Sequence, residues 1–342
     1  MPVPAHILVI RFSAMGDAAM TVPVLKNLLQ QNQDLKITVV SNAFFKPLFT
    51  GLDRCHFHPA FLKKEHKGFT GMYRLYRELK ALNEFTAIAD LHGVLRSFNL
   101  QLFFRLSGIP IAAIDKGRKE KKLLTLKVQK QLVQLPTSFE RYAAVFRNLG
   151  YTCLLKNEEP IFPQQPLPAA AKGYFAGKGK VIGIAPFAQH AQKMYPLQRM
   201  KNVVKTLSDA GHSILLFGGG QHENEILQQW QDEIKGNVFC VAGKFSFAEE
   251  LAIISNLTQM LSMDSANMHL ASLYAVPVIS VWGATHPFAG FYGWCQPVEN
   301  MVSVDIYCRP CSVFGNKPCY RGDFACMMEI RDEMIIDKMN KV

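Results

Sequence analysis

Short runs of continuous apolar residues, many of them β-branched, recur along the chain, and each ends in small or polar residues. They are HILVIRF (6–12), KITVVS (36–41), TAIADLH (86–92) and IPIAAID (109–115), then KVIGIAPF (180–187), HSILLFGG (212–219), VFCVAG (238–243), QMLSMDS (259–265) and VPVISVWG (276–283). Apolarity on both alternating positions predicts strands buried on both faces. Segments of helical period lie between them: AAMTVPVLKNLLQQ, GMYRLYRELKALN, PLQRMKNVVKTLSDAG, ENEILQQWQDEI and FAEELAIISN, with Gly211 placed as a C-cap after the third. Strand and helix in alternation mean parallel sheets with crossover helices.

The alternation runs twice, from about residue 6 to 150 and again from about 180 to 300, on either side of a Pro- and Gly-rich stretch at 157–180. A chain of 342 residues exceeds one ordinary core. The expectation is an α/β protein of two Rossmann-like, doubly wound domains facing a cleft, 1–165 and 166–342. Ligands of such sheets bind beyond the carboxyl ends of the strands, so the residues following strands carry the search for chemistry.

Composition narrows the class. Hydrophobic content of 49% and charged content of 19% describe a globular protein. The longest apolar stretch, 269–284, is short of a membrane span and is broken by Pro277. The start, MPVPAHILVIRF, lacks the basic n-region and cleavage site of a signal peptide, so the expected location is the cytoplasm. The net charge of +11 lies wholly in the first half: residues 1–170 hold 23 Lys and Arg against 12 Asp and Glu, and the remainder hold 15 of each. The excess concentrates at FLKKEHKGF (61–69) and DKGRKEKKLLTLK (115–127), which points to an anionic partner for the first domain. Nucleic acid is disfavoured because no basic motif is interleaved with aromatics.

Several machineries are missing. There is no P-loop, no G-x-G-x-x-G after a strand, no G-x-S-x-G elbow and no H-E-x-x-H. No two aspartates stand two apart, so the D-x-D pair that holds a metal on a nucleotide-sugar diphosphate is absent. What remains follows strands. In SAMGD (13–17), Gly16 permits a tight turn beside Ser13, and Asp17 serves either as a helix-start cap or as a general base toward a hydroxyl. In MDSANMHLAS (263–272), Asp264 and Ser265 end a strand, Ala266 opens a helix whose amides suit an anion, and His269 lies one turn in. Lys193, in the loop after 180–187, can offset charge on a leaving phosphate. Glu223, behind three glycines, falls where an acid could hold ribose hydroxyls. His92 and Arg96 in DLHGVLRS (90–97), with Lys119, Lys121 and Lys122, offer groups to a carboxylate or phosphate. Cys308, Cys311, Cys319 and Cys326 are spaced C-x2-C-x7-C-x6-C; the first pair has zinc-ligand spacing, but reduced, partly buried thiols are the favoured reading over a metal site.

Together and in this order, ILVIRFSAMGD, DLHGVLRS, MDSANMHLASLYAVPVISVWGATHP and CRPCSVFGNKPCYRGDFACM resemble the motifs of the lipopolysaccharide heptosyltransferase family, glycosyltransferase family 9. The resemblance spans nearly the whole chain. It implies a GT-B fold, with an anionic glycolipid acceptor on the N-terminal domain and a nucleotide-sugar on the C-terminal one. It implies inverting transfer from ADP-heptose to a lipopolysaccharide inner-core acceptor, with ADP as product, no required cofactor or metal, and peripheral contact with the inner membrane surface. By position, Asp17 matches the family's base, Lys193 its lysine near the donor phosphates, Asp264 and His269 its donor motif, and Glu223, more loosely, its ribose-holding acid. The chain departs from the pattern at Ala266-Asn267, where Gly-Pro is usual, at Ala284, and in FAQHAQ, which lacks paired hydroxyls beside the phosphates. A transferase using another nucleotide-sugar, or a non-catalytic nucleotide-binding member, is the alternative.

Overall fold

A computed structural model describes residues 5–157 and 160–342. Residues 158–159 of the expected interdomain stretch and residues 1–4 of MPVPAHILVIRF lie outside them.

The chain forms two compact units, Met1–Arg118 with Pro136–Glu158, and Lys119–Leu135 with Glu159–Val342. The first contains β1 (His6–Ile10), α1 (Met15–Gln31), β2 (Lys36–Asn42), β3 (Cys55–Ala60), α2 (Gly68–Leu82), β4 (Ala87–Asp90), α3 (Leu95–Arg105) and β5 (Ile111–Ala113). After α4 (Arg118–Leu124), which opens the inserted stretch, the chain returns as α5 (Ser138–Asn148). The five strands pair in parallel in the order β3-β2-β1-β4-β5. Residues of β1 are wholly buried, so Leu8 and Ile10 pack with Met72, Leu75, Leu100 and Phe104 of α2 and α3. β3 is a strand the sequence pattern does not show: CHFHPA is rich in polar positions because it is a half-buried edge strand.

The second unit contains β6 (Val181–Ala185), α6 (Leu197–Asp209), β7 (Ser213–Leu216), α7 (Gln221–Glu233), β8 (Val238–Cys240) and α8 (Phe247–Ile254). It continues with β9 (Gln259–Met263), α9 (Ala266–Ser272), β10 (Val278–Val281), β11 (Met301–Val302), α10 (Ala325–Met328) and α11 (Asp332–Lys341). Its sheet is parallel, in the order β11-β10-β9-β6-β7-β8. Gly211 closes α6 with φ of +88°, the left-handed turn expected of it. The apolar stretch 269–284 divides into the end of α9 and β10, with Pro277 in the turn between them.

One boundary differs from the expected break at 165. Residues 119–135 pack into the second unit, where Leu124 and Leu135 bury with Ala289 against Phe288, Phe291 and Val313. Leu135 N–H donates to Phe288 O at 2.9 Å, and Lys130 Nζ donates to Tyr307 O at 3.2 Å. Part of the basic excess of the first half therefore belongs physically to the second unit.

Candidate functional site

In each sheet the strand order reverses once, and ligands of doubly wound folds gather at that reversal. In the first unit it falls between β1 and β4, and in the second between β6 and β9. The residues after these four strands include Asp17 and Asp264, while Glu223 follows β7.

Beyond β1, Asp17 stands in the first turn of α1, and its Oδ2 accepts the Ala14 N–H at 3.4 Å. That is a cap, and more. Arg11, buried at the end of β1, forms an ion pair with Oδ2 while its guanidinium also donates to Leu91 O at 2.6 Å. Arg11 thus joins the β1 and β4 loops and fixes the carboxylate. Asp17 remains 33% exposed, with Oδ1 turned to neither contact among the described residues. Ser13 Oγ lies 3.4 Å from His92 Nε2. Gly16 occupies the second position of α1.

Beyond β4, a fully buried carboxylate builds the next loop. Asp90 accepts the backbone N–H groups of His92 (2.8 Å) and Gly93 (3.0 Å), the Ser97 hydroxyl (2.8 Å) and the Gln101 amide. This network sets the position of His92, which is buried, with Nδ1 lacking a partner among the described residues. Burial, then Arg11 and Lys116, push its pKa down to about 4, so the ring is neutral near pH 7. Arg96 is exposed on the first turn of α3.

Lys116, just past β5, belongs to the same group. Burial, with Arg11 and Arg118 close by, holds its ammonium below the usual lysine range against the pull of Asp17 and Asp90. Arg11, Asp90 and Lys116 were missed in the sequence reading, although each stands at or just beyond a strand end. The three lysines named from the sequence belong to the second unit. Lys119 and Lys122 are exposed on α4, and Lys121 is buried with its ammonium 4.2 Å from the Phe291 ring centroid in the second unit. Lys121 thus has a cation–π contact within its own unit.

In the second unit Lys193 follows β6 and Asp264 follows β9. Lys193 Nζ lies 2.9 Å from Asp264 Oδ2, with the side chains 16% and 5% exposed. Thr285, beyond β10, donates its hydroxyl to the same oxygen at 2.8 Å. An ammonium has three donors and Asp264 takes one, which leaves Lys193 able to meet a ligand oxygen. Ser265 is the N-cap of α9 in extended conformation and makes no cap bond; its hydroxyl lies 3.1 Å from that of Ser262. Ala266 opens the helix half-buried, and His269 is buried within it. Glu223 accepts the Gly219 N–H at 2.7 Å and so pins the glycine turn leading into α7, the capping role for an acid at that place.

The cysteine-bearing tail braces this loop cluster. Buried Arg309 donates to Gly283 O (2.7 Å), Val304 O (2.9 Å) and Thr285 O (3.3 Å). Gly315, at φ of +74°, lies against the Lys193 stem so closely that a Cβ would come within 2.5 Å of it. Cys308, Cys311, Cys319 and Cys326 line one small cavity and are free thiols. Burial, then the neighbouring thiols, push Cys326 up to about 12. Among the described residues, no group of three or more His, Cys, Asp or Glu is arranged to hold a metal ion.

The family model for glycosyltransferase family 9 (heptosyltransferase) matches residues 72–318. This chain belongs to that family. Lipopolysaccharide heptosyltransferase 3 of Escherichia coli is 25% identical over 303 residues, covering 84% of this chain and 85% of that protein. Lipooligosaccharide heptosyltransferase 2 of Haemophilus influenzae is 26% identical over 173 residues, 48% of each chain, so the match spans about half the length of that relative. The solved structure of E. coli heptosyltransferase WaaC with ADP superposes with a TM-score of 0.67 at 18% identity, over 98% of this chain and 99% of that one. The family's GT-B type of fold, two parallel-sheet α/β units, is the fold of this chain.

Proposed function

We propose that this family member transfers a heptose, with inversion, from ADP-heptose to an anionic lipopolysaccharide inner-core acceptor. The observation that carries the reading is the pairing of a carboxylate with a cation at the switch point of each sheet: Asp17 with Arg11, and Asp264 with Lys193. The family relatives named as heptosyltransferases, and the ADP in one solved relative, support the donor.

In this reading Asp17, oriented by Arg11, takes the proton from an acceptor hydroxyl as the oxygen attacks the anomeric carbon. The bond from that carbon to the ADP oxygen breaks on the opposite face. Lys193 meets the charge growing on the diphosphate, and Asp264 and Thr285 hold the ammonium in place. Ser265, Ala266 and His269 shape the donor side, and Glu223 reaches the ribose. On the acceptor side, Ser13, Gly16, His92 and Arg96 line the approach to Asp17. Lys116 joins Arg11 there as an anion-binding charge, in addition to Lys119, Lys121 and Lys122. A neutral His92 adds a hydrogen-bonding group without adding charge. Contact with the inner membrane surface accompanies an acceptor of this lipid class.

The test is a transfer assay with ADP-heptose and a lipopolysaccharide core lacking heptose, together with thermal shift against ADP, UDP, GDP and dTDP forms. The expected result is acceptor-dependent ADP release and selective stabilisation by the adenine form; a ligand at 100 times its Kd adds about 2.7 kcal/mol. ADP binding without acceptor-dependent release would leave a nucleotide-binding protein. Preference for another nucleotide would replace the donor.

A further inference from the structure

The helix α3 is apolar on the wrong side. Its buried face is Ser97, Leu100, Gln101 and Phe104. At about 100° per residue, Leu95, Phe98, Leu102 and Leu106 fall on the opposite stripe, and all four are exposed, Leu95 by 78% and Leu106 by 81%. The apolar surface continues onto α2, where exposed Phe69 and Tyr73 rest on Phe103, with ring centroids 5.1 and 5.3 Å away. Single exposed apolar residues are ordinary, but a contiguous stripe with aromatic extension marks a surface that meets something.

The charges around it say what. Exposed Lys63, Lys64 and Lys67 precede and begin the approach to α2, and exposed Arg74, Arg77 and Arg105 stand on α2 and α3. Of the acids in 61–83, Glu65 is exposed and Glu78 is held by His58 and His66. Apolar and aromatic side chains flanked by Lys and Arg suit the headgroup boundary of an anionic bilayer. A second copy packed face to face would set these cations against their own equivalents, because a two-fold interface places the same patch on both sides.

We propose that the α2–α3 face docks on an anionic lipid surface, with Phe98, Leu102 and Leu106 entering the boundary and the 63–67 lysines on the headgroups. This deepens the reading above and rests on it only for its biological sense. α3 begins just after the loop that carries His92 and has Arg96 in its first turn, so docking holds the acceptor-side loop near the membrane plane.

The test is sedimentation of the full chain with vesicles of phosphatidylcholine, alone or mixed with phosphatidylglycerol. Neither donor nor acceptor is present, so a bound but inactive protein keeps the surface and rejects the transferase. The expected result is binding to mixed vesicles only, weakened by salt. The triple change Phe98→Ser, Leu102→Ser, Leu106→Ser should lower the partition coefficient at least about tenfold, as should Lys63→Glu, Lys64→Glu, Lys67→Glu, with ADP binding unchanged. The charge-reversed variant leaves the apolar stripe intact and decides the matter if the triple serine variant does not fold. Absence of binding to mixed vesicles, or variants that bind as the parent does, overturns the proposal. A dimer in solution that the serine changes abolish overturns it in favour of a second copy.

Discussion

Replacing Lys193 by Met breaks the buried pair with Asp264 and nothing else of comparable size. At 2.9 Å the two charges attract by about 6 kcal/mol at an effective dielectric near 20, and desolvation takes back much of it. Removing one partner leaves the other charge stranded, which typically costs about 3–5 kcal/mol. The low end, about 3 kcal/mol, applies here, because the Thr285 hydroxyl still serves Asp264 and Lys193 was partly open to water. Asp264→Asn should cost less, about 1–2 kcal/mol, since the amide oxygen keeps the Thr285 bond and the ammonium can turn to solvent. The double variant should then fall short of the sum, with a coupling of about 1–3 kcal/mol. Trp230, Trp282 and Trp294 all lie in the second unit, so tryptophan fluorescence in urea or heat reports this unit alone. A loss of about 3 kcal/mol in a unit this size lowers Tm by about 6–12 °C. ADP affinity should fall at least about tenfold in Lys193→Met if the ammonium meets phosphate. Additive single-site costs, or a Lys193→Met melt within about 2 °C of the parent with ADP affinity intact, refute the reasoning.

Thr285→Ala should destabilise the second unit by about 1.5–3 kcal/mol and weaken donor binding, because it strips Asp264 of its neutral partner, and Thr285→Ser should restore both. Asp90→Asn turns an amide donor toward groups that donate; acceptor KM should rise while ADP affinity stays, and equal effects on both would contradict the positioning role. The folded pKa of His92 lies near 4, below its ordinary value, so the unfolded chain binds the extra proton first. Its contribution is complete above about pH 6.5 and is lost as pH falls toward 4, up to about 3 kcal/mol. Circular dichroism of urea unfolding across that range should show a shallower acid-side slope in His92→Gln, and parallel curves would show that the ring does not titrate as described.

Nine of the eleven strands among the described residues were legible because burial on both faces forces continuous apolar runs, as in HILVI and VISV. The two that were not are edge strands: CHFHPA, half open to water, and the two-residue Met301–Val302. α3 was not read as a helix for a related reason, since apolar residues on both its faces erase the helical period. The places of Asp17, Lys193 and Asp264 after strands were legible because the apolar runs before them mark the strand ends. Arg11 was not, although it lies in the same motif, because its side chain folds back across to Leu91 O and no spacing in the sequence records that contact. The lysines of 119–122 were placed in the first domain for the opposite reason. Their charge density is plain in sequence, but Leu124 and Leu135 pack the segment into a small cluster with Ala289 in the second unit.

The central claim is that the Asp17 carboxylate deprotonates the acceptor. The direct measurement is turnover by Asp17→Asn, which keeps the side chain's size and can still accept the Ala14 N–H, under saturating ADP-heptose and acceptor. A fall in kcat of about 10²–10⁴, with ADP affinity and the melting of the second unit unchanged, is the expected outcome. Turnover within a few-fold of the parent from a folded Asp17→Asn protein would reduce this residue to a helix cap held by Arg11.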